Sequence, residues 1–549
     1  MSINNLILHG LKIYQMRKIN LIITLLLCSV FVYSQSNNIK WQYRVNDASY
    51  GQSAAADIDN DGKLEIVFGC YRNDSMIYAL NAEDGTLLWK FNARTAFAEG
   101  CNDVAPILYD INNDKTPEVI VPASCNPKTF CFDGKTGKVL WEAPTRGSDS
   151  PPTIADIDGD GKAEILHGQF GGYVICLNAE DGSKAWEITV DSDSWIQTAP
   201  TIVDLDKDNK PDFVVASWNF YGKSKVYAYR GYDRQLLWSY PVRDYVYHGT
   251  AVADLDNDDK PELVIGDYSG ALYCLNAENG TLAWEYIMPE YFYNGSPASI
   301  ADIDGDDSCE IVFMSWYKTL VLSAKGRLKW QFNNPDYGSS FRGAALADIN
   351  NDALPDVIYG TSEGEVIALN GKNGNMLLYL NIDSIYGDTM AFDHAPLVAD
   401  FDNDGTLDIF IVGGYSRYPN FSKNYGMAYC IKAGKGQGPP WLMFQRDIHR
   451  KSSFCAASSD IPELILQNKM PDIYPNPSDG NFYISTDNSL TSAVQVSIFD
   501  ITGRIVYQNS FTDMQNNNVF VQAEIKQAGI YHVMISSGNT CFNKLIVIE

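Results

Sequence analysis

The chain has few basic residues, few histidines and almost no long apolar runs. Its 41 Lys and Arg are outnumbered by 68 Asp and Glu, which gives a formal charge of −27. Because nucleic-acid binding needs clustered Lys and Arg against phosphate groups, this balance argues against a nucleic-acid partner. Beyond the N-terminus, no stretch is long and apolar enough to cross a membrane. With only six His and no H-E-x-x-H motif, the sequence assigns no catalytic residue.

The N-terminus carries the one long apolar run, and this run has the form of a secretory signal. A short basic start at residues 16–18 precedes the apolar residues 19–32. Small or compact residues follow, which predicts cleavage before Gln35. We therefore expect residues 1–34 to be a signal peptide, with Met16 as its start.

Internal repetition is the strongest signal in the chain. A motif of alternating acids occurs eight times, as in DIDNDGKLEI, and successive copies start 46 to 53 residues apart. We number these acidic loops 1 to 8 by their first aspartates, which are Asp57, Asp110, Asp156, Asp204, Asp254, Asp302, Asp348 and Asp400. A second motif, a turn followed by Trp, runs in phase with the first. It ends at Trp89, Trp141, Trp186, Trp238, Trp284 and Trp330, weakens to Tyr379 and returns in altered form at Trp441.

Each repeat contains four short β-like runs, which in the first repeat are SAAADI, KLEIVFGC, SMIYALNA and TLLWKFN. Four strands about every 49 residues are typical of a propeller blade, and the 3.6-residue apolar period of a helical solenoid is absent. The repeats therefore predict an all-β fold built on an eight-bladed β-propeller. The segment IKWQYRV around Trp41 looks like an outer strand without its own blade. Either this segment or Trp441 is expected to complete the last blade.

Ten cysteines remain once Cys28 in the apolar run is removed. Four of them occupy the same place in successive repeats, so we expect buried thiols rather than disulfide partners at Cys131, Cys176, Cys274 and Cys430. Since export permits oxidation, Cys101 paired with Cys125 or Cys70 is the best disulfide candidate. The sequence leaves the connectivity open.

Both repeated motifs resemble known repeat families. The acidic repeats are similar to FG-GAP or VCBS repeats, the type found in integrin α-chain propellers. The segments with a turn and a Trp resemble the repeats of quinoprotein-like propellers. The resemblance covers about residues 39–455, and it implies a calcium-binding propeller domain at residues 35–455.

The acidic loops have the spacing of a cation site. In D-x-D-x-D-x-x-x-D/E, side chains 1, 3, 5 and 9 of a tight loop converge, and such hard oxygen ligands suit Ca²⁺. Gly62, Gly161 and Gly405 stand at position 6, where a sharp turn favours Gly. The thirty acids at these four positions would repel one another without cations. The alternative is a set of solvated Asp-rich turns.

Eight bound ions would change the formal charge from −27 to about −11. A closed set of protein ligands in every loop indicates structural rather than catalytic ions, up to about eight of them. The predicted ligands are Asp57, Asp59, Asp61, Glu65, Asp110, Asn112, Asp114, Glu118, Asp156, Asp158, Asp160, Glu164, Asp204, Asp206, Asp208, Asp212, Asp254, Asp256, Asp258, Glu262, Asp302, Asp304, Asp306, Glu310, Asp348, Asn350, Asp352, Asp356, Asp400, Asp402, Asp404 and Asp408.

Strand parity separates the loops of a blade onto two faces. The acidic loops and the turns before each Trp share one face, and the remaining loops, which are rich in aromatic residues, share the other. A wide surface of aromatic and polar groups suits sugars or extended peptides, by stacking and hydrogen bonding. The predicted ligand-binding residues are Trp218, Tyr221, Tyr245, His248, Tyr293, Trp316 and Arg342.

A different pattern begins after residue 455. A polar linker at residues 456–470 leads into alternating strands that predict a small β-sandwich. The pieces YPNPSDG, FDITGRIVY, AGIYHV and the terminal KLIVIE closely resemble the type A sorting domain of the type IX secretion system of Bacteroidetes. The resemblance implies that residues 471–549 engage the type IX secretion machinery. It also implies that the protein is secreted or held at the outer cell surface.

Three functions compete for the propeller. The first is a binding module that recognises a glycan or a protein through its aromatic face. The second is a polysaccharide lyase, in which His248, Tyr245, Arg342 and His394 would supply base, acid and carboxylate-neutralising roles. A quinone-dependent dehydrogenase is the third, because the Trp repeats fit, although no adjacent cysteine pair or cofactor constellation is present. A shared fold alone does not decide among them.

Overall fold

The structure is a computed structural model in which the chain divides into two compact units, Met1–Glu463 and Leu464–Glu549. It describes residues 38–94, 102, 104–124, 126–288, 296–416, 420–436, 438–455, 472–474, 477–478, 480–485, 494–499, 504–511, 518–523, 525, 528–537 and 540–548. The predicted signal peptide and linker therefore lie outside the described residues. Among the helices that are described, none is long and apolar enough to span a membrane.

Each repeat forms a four-stranded antiparallel sheet, here called a blade and numbered with its acidic loop. The second strand of each repeat, such as the fully buried EIVFG of blade 1, is apolar on both faces because it is covered on both sides by neighbouring sheets. The strands of blades 1 to 4 are β2 (Ala54–Ala56), β3 (Glu65–Gly69), β4 (Met76–Asn81), β5 (Leu87–Asn92); β6 (Ile107–Tyr109), β7 (Glu118–Pro122), β8 (Lys128–Phe132), β9 (Val139–Pro144); β10 (Thr153–Ala155), β11 (Glu164–Gln169), β12 (Tyr173–Asn178), β13 (Lys184–Thr189); β15 (Thr201–Val203), β16 (Asp212–Ala216), β18 (Lys225–Arg230) and β19 (Leu236–Pro241).

The strands of blades 5 to 7 are β20 (Ala251–Ala253), β21 (Glu262–Gly266), β22 (Ala271–Asn276), β23 (Leu282–Ile287); β24 (Ser299–Ala301), β25 (Glu310–Ser315), β26 (Lys318–Ser323), β27 (Leu328–Asn333); β28 (Ala345–Ala347), β29 (Asp356–Gly360), β30 (Glu365–Leu369) and β31 (Met376–Asn381). A small extra ladder joins β14 (Ser194–Trp195) to β17 (Trp218–Asn219). The described helical segments are short, namely α1 (Ile382–Tyr386) and two 3-10 turns at Pro335–Tyr337 and Phe421–Lys423.

Blade 8 joins the two ends of the ring. Its strands are β32 (Leu397–Ala399), β33 (Leu407–Tyr415), β34 (Tyr425–Gly434) and β1 (Ile39–Val45), and β1 pairs with β34 at the outer position. The segment around Trp41 is therefore the strand that completes the last blade. Trp441 lies instead beside the innermost strand, where it exchanges two 2.9 Å backbone hydrogen bonds with Val398.

In six of the eight blades, the repeated Trp ties the blade to the next one. Trp238 of blade 4 donates its indole N–H to the carbonyl of Ala277 in blade 5 at 2.8 Å, and its ring covers Gly280 in the turn between β22 and β23. The same bond is made by Trp41, Trp89, Trp141, Trp284 and Trp330. The turn glycine allows this close approach, since a Cβ on Gly280 would lie 2.5 Å from the Trp238 ring.

The prediction that Tyr379 takes the Trp position of blade 7 is wrong by one residue. Cys274 pairs with Trp284 in blade 5, and the equivalent Ala368 of blade 7 pairs with Leu378. Tyr379 therefore points to the opposite face of the strand, where its hydroxyl group contacts the carboxylate of Glu365 at 3.1 Å. The large side chain is displaced by one residue because the number of residues after the turn glycine, rather than side-chain size, sets the register between the third and fourth strands.

Residues 441–455 form a central segment that runs along the innermost strands of successive blades. Its carbonyl groups accept backbone hydrogen bonds from Ala55, Ile154, Ile202, Val252 and Ile300, which belong to blades 1, 3, 4, 5 and 6. Since the innermost strands of a propeller surround its axis, this central segment occupies the channel. Its Arg450 side chain is fully buried and donates to the carbonyls of Pro152, Phe444 and Pro106.

A disulfide between Cys309 and Cys455, with Cα atoms 6.5 Å apart, joins the end of the central segment to blade 6. The repeat cysteines Cys131, Cys176, Cys274 and Cys430 are buried free thiols, as predicted. Cys101 and Cys125 lie outside the described residues, so their pairing stays a prediction.

The C-terminal unit contains two sheets that share one core. A three-stranded sheet has the order β35 (Asp472–Tyr474), β36 (Asn481–Ser485), β39 (Asn518–Gln522). A four-stranded sheet has the order β38 (Ile505–Phe511), β37 (Val494–Phe499), β40 (Gly529–Ser537), β41 (Thr540–Ile548). Alternate residues of both sheets, such as Phe482 and Val496, are buried together. This arrangement agrees with the predicted β-sandwich.

We expect Gly280→Ala to lower the free energy of unfolding by about 1–3 kcal/mol, because the new methyl group would overlap the Trp238 ring. Gly222→Ala is the matched control, since Gly222 has a similar φ of 67° but no atom within 4 Å of the place that a methyl group would take. Urea denaturation measures both variants. Equal losses in the two would show that backbone conformation alone, and not contact with the Trp, accounts for the effect.

Candidate metal loops and the aromatic face

The acidic loops and the turns before each Trp meet on one face of the propeller. Ion pairs join them within a blade, for example Lys162 with Glu180 and Lys260 with Glu278, both at 2.8 Å. This is the arrangement that strand parity predicts. The loops that join the second and third strands lie at the other end of each blade.

Within each acidic loop, backbone N–H groups hold the carboxylates in place. In loop 1, Asp57 accepts from the N–H groups of Asp61 and Gly62, at 3.1 and 2.9 Å, and Glu65 accepts from Ile58 at 2.9 Å. The bond between residues 9 and 2 recurs in loops 1 to 7. In loop 1 this bond uses one oxygen of Glu65.

Positions 4 and 6 of every acidic loop have left-handed backbone conformation. In loop 1 they are Asn60 and Gly62, with φ of 62° and 88°. Position 4 is Asn, Gly or Lys in all eight loops, and Asn and Gly tolerate this conformation best. Sequence reasoning identified the glycines of position 6 but missed the requirement at position 4, for which the recurring Asn was the available signal.

The carboxylate oxygens converge as a metal site requires. In at least five loops, acids each offer an oxygen within 4.8 Å of the others: all four predicted acids in loop 6, and three of the four in loops 1, 3, 4 and 5. The ninth-position acid is buried beneath them. Burial, followed by the charges of Asp59, Asp57 and Asp61, raises the pKa of Glu65 to about 8. The same causes raise the pKa of Glu164 to about 8 and that of Glu262 to about 7.

The loops fall into three groups according to the side chain that contacts their carboxylates. In loops 2 and 7, the amide of Asn112 or Asn350 donates to the ninth-position acid, at 2.6 and 3.1 Å. In loops 6 and 8, a lysine ammonium lies among the carboxylates. The remaining loops 1, 3, 4 and 5 carry four acids and no lysine at that point.

The aromatic face contains one continuous cluster of rings. Trp218 and Tyr245 stack with centroids 4.5 Å apart and planes 7° apart, and Tyr268 meets Trp218 edge-on at 4.9 Å. Tyr247 contacts Trp218 at 5.8 Å and Phe341 at 5.2 Å, so the cluster extends from blade 4 to blade 7. We call these five residues the aromatic cluster. All five are partly exposed.

Arg342 and His248 join the aromatic cluster at its inner end. The Arg342 guanidinium lies 5.0 Å from the ring centre of Tyr247 and 5.2 Å from that of Phe341. His248 is buried between Phe341 and Phe444 of the central segment. Burial and then the charge of Arg342 lower the pKa of His248, so its ring is neutral at physiological pH.

The structure brings together four of the seven predicted ligand-binding residues, namely Trp218, Tyr245, His248 and Arg342. Trp316 and Tyr221 are exposed, at 47% and 72%, and lie in loops of the same face. Tyr293 lies outside the described residues. The prediction did not include Tyr268, which occupies the connection between the second and third strands of blade 5 and follows a buried Asp.

Comparison with protein families agrees with this geometry. Residues 472–549 match the model for a secretion system C-terminal sorting domain, and residues 30–121 and 320–411 match the FG-GAP-like repeat model. The chain carries FG-GAP-like repeats and a C-terminal sorting domain. This FG-GAP-like propeller also matches, over residues 159–322, a model described as outer membrane protein assembly factor BamB. The sorting domain marks the propeller as exported through the type IX system.

Two curated relatives of the FG-GAP-like propeller are quinoproteins of Pseudomonas putida. Quinohemoprotein alcohol dehydrogenase ADH-IIG is 31% identical over 122 residues, which are 20% of this chain and 16% of that protein. Quinoprotein ethanol dehydrogenase is 26% identical over 159 residues, or 27% of this chain and 24% of the relative. The matched stretches thus span less than a quarter of each relative's length.

Solved structures show the same fold as the FG-GAP-like propeller. The V. cholerae biofilm matrix protein Bap1 aligns with a TM-score of 0.55 and 15% identity, covering 74% of this chain and 93% of that one. Quinohemoprotein alcohol dehydrogenase ADHIIG from P. putida HK5 aligns with a TM-score of 0.53 and 14% identity, covering 73% and 77%. At these identities the likeness concerns the fold alone.

Proposed function

We propose that this protein is an exported, calcium-stabilised propeller that binds a glycan or a protein outside the cell or at its surface. A signal peptide at residues 1–34 and the type IX sorting domain would take it there. The observation that carries the binding proposal is the aromatic cluster with Arg342 at its inner end. The calcium proposal is supported by the repeated convergence of carboxylate oxygens.

The donor set of the loops fits calcium. All the side-chain atoms that would bind the ion are oxygens. The first aspartate of every loop accepts a hydrogen bond from a backbone N–H group of its own loop. Ca²⁺ accepts six to eight such ligands. In loops 1, 3, 4 and 5 the ion would supply positive charge to four acids, one of which is buried. Its role there is to stabilise the fold.

Stacked and edge-on rings offer broad apolar surfaces with polar rims, as sugar rings and extended peptides require. The exposed Trp316 and Tyr221 add two accessible rings to the same face of the propeller. Arg342 adds N–H donors to this surface, while the nearby carboxylates of Asp149 and Asp393 offset its positive charge. Such a surface suits a ligand rich in hydroxyl groups, and we therefore favour a polysaccharide as the ligand.

No observation favours the lyase alternative. Burial lowers the pKa of His394 to about 3, and that of His248 also falls below its ordinary value, whereas a general base works best with a pKa near the working pH. The letters GTSEG at residues 360–364 resemble a serine nucleophile elbow. They form the turn between β29 and β30, however, and the elbow needs a turn between a strand and a helix.

We expect the double variant Trp316→Ala/Tyr221→Ala to bind its polysaccharide roughly tenfold more weakly than the wild type, because each stacking contact contributes about 0.5–1.5 kcal/mol. Both side chains are exposed, so the melting temperature should stay near the wild-type value. A glycan array identifies the ligand, and affinity electrophoresis in that polysaccharide measures the change. Tyr232→Ala, on the face of the acidic loops beside Lys210, is the control and should bind normally.

The same samples should be assayed for unsaturated sugar products and new reducing ends. Product formation that His248→Ala abolishes, with binding intact, would replace the binding proposal with the lyase. Wild-type affinity in the Trp316/Tyr221 double variant would place the binding site elsewhere.

A further inference from the structure

Acidic loops 6 and 8 already contain a positive charge at the point where their carboxylates converge. In loop 6, the Lys329 ammonium lies 2.5 Å from Asp304, 2.7 Å from Glu310 and 3.5 Å from Asp306. In loop 8, Lys40 lies 2.5 Å from Asp402, 2.9 Å from Asp408 and 3.6 Å from Asp404. Each ammonium thus contacts residues 3, 5 and 9 of its loop, which are three of the four predicted metal ligands.

A recurring β-bulge delivers these lysines. In blade 6, Val321 pairs with Trp330 and Leu322 pairs with Leu328, so Lys329 is the extra residue of the outer strand. In blade 8, Trp41 pairs with Cys430 and Ile39 pairs with Ile431, which leaves Lys40 as the extra residue. A bulge turns its extra side chain out of the regular strand alternation. Here that side chain reaches the acidic loop of its own blade.

The same bulge position holds an aliphatic residue in the other six blades. These residues are Leu88, Leu140, Ala185, Leu237, Ala283 and Leu377. None of them can neutralise a carboxylate. The residue at the bulge therefore separates the eight acidic loops into two kinds. Loops 6 and 8 have a lysine ammonium among their carboxylates, and the other six loops have an aliphatic residue at this position.

We propose that Lys329 and Lys40 take the place of the metal ion in acidic loops 6 and 8, so that calcium binds only in the other loops. This inference rests on the proposed calcium function. An ammonium and a calcium ion would occupy the same small space and repel each other, and a calcium ion needs six to eight oxygens at about 2.3–2.6 Å. Binding calcium in loop 6 would require Lys329 to leave three close carboxylates.

Loop 4 shows that a nearby cation alone is not sufficient. The Nε of Arg230 contacts Asp206 at 3.0 Å, but its Nη1 donates to Gln235 and Asp233, outside the ligand set. The guanidinium is held at the side of the loop, and Asp204, Asp206 and Asp212 still converge. Loop 4 accordingly stays among the calcium loops.

The test counts calcium ions bound to the full-length protein after chelation and re-addition of calcium, by mass spectrometry of the metal and by calorimetric titration. Lys329→Leu and Lys40→Leu should each bind about one ion more than the wild type, since Leu is the residue used at this position in blade 1. Leu88→Lys should bind about one ion fewer. Lys63→Leu, which removes an exposed lysine paired with Glu83 outside the ligand set, should leave the count unchanged.

An unchanged count in Lys329→Leu, Lys40→Leu and Leu88→Lys, with calcium bound to the wild type, would overturn this inference and leave the calcium proposal intact. A wild type that binds no calcium would overturn the calcium proposal. In that case, calcium binding by the leucine variants alone would still support the role of the lysines. If the leucine variants also bound no calcium, both the calcium proposal and this inference would be wrong. Should a leucine variant unfold in chelator, refolding on calcium addition supports the inference, and persistent unfolding in saturating calcium counts against it.

Discussion

Removing calcium with EGTA should lower the melting temperature of the protein by about 10 °C or more, and excess Ca²⁺ should restore it. An ion at about 100 times its dissociation constant stabilises the folded state by roughly 2.7 kcal/mol, and several loops contribute. The physical reason is that Glu65 and its equivalents are buried behind other carboxylates, whose repulsion the ion removes. Differential scanning calorimetry with and without chelator measures the shift.

Single substitutions should show which loops contribute most to the stability of the calcium-bound protein. Asp158→Ala should destabilise more than Asn112→Ala, because loop 3 would lose a charged ligand, whereas Asn112 is neutral and already donates to Glu118. In EGTA, where neither loop holds an ion, the order should reverse, because Asn112→Ala still removes the hydrogen bond to the buried Glu118 and Asp158→Ala removes a repelling acid. A melting temperature that does not change after verified metal removal would contradict the calcium proposal altogether.

Arg450→Met should lower the free energy of unfolding by about 3–5 kcal/mol. The Arg450 side chain is fully buried, and the change would leave three carbonyl groups, those of Pro152, Phe444 and Pro106, without this donor. Two of these carbonyls, those of Pro106 and Pro152, precede the innermost strands of blades 2 and 3, so the substitution should loosen the central segment from both blades. Urea denaturation followed by tryptophan fluorescence measures the loss.

Arg446→Met is the matched control for this experiment. Arg446 is in the same segment, but its side chain is about a third exposed and pairs with Asp447 at 3.3 Å. Its substitution should cost no more than about 1 kcal/mol. If both variants were as stable as the wild type, the central segment would not hold the blades together.

The periodic parts of this fold could be predicted from the sequence, because each repeat carries its own strands, turns and buried residues. The acidic loops and the four buried repeat cysteines follow from patterns that recur, whereas the sequence left two candidates, the segment around Trp41 and Trp441, for completing the last blade. The central segment does not recur. Its place depends on backbone bonds to strands of several blades and on the buried Arg450, and none of these leaves a periodic trace. The disulfide between Cys309 and Cys455, 146 residues apart, was missed for the same reason.

The sequence predicted which loops form the aromatic face, but not which of their side chains come together. Strand parity placed the right loops together, but it could not show how far each side chain reaches toward the axis. His248 is buried against Phe444 because the central segment fills the channel beneath it. Arg342 and Trp218 are joined through Tyr247 and Phe341, residues that share the loops of the predicted site but were not in it.

The position of β1 has a consequence for how the chain acquires its structure. The ion pair between Lys40 and Asp408 joins residues 368 positions apart, so the ring cannot close until nearly the whole propeller is present. Until then the N–H and C=O groups of β1 lack their partner strand β34, and such an edge can join a strand of another chain. Contacts this distant in sequence also form slowly. An exported chain that closes in this way is therefore expected to expose a strand edge, and with it a tendency to associate, until the ring is complete.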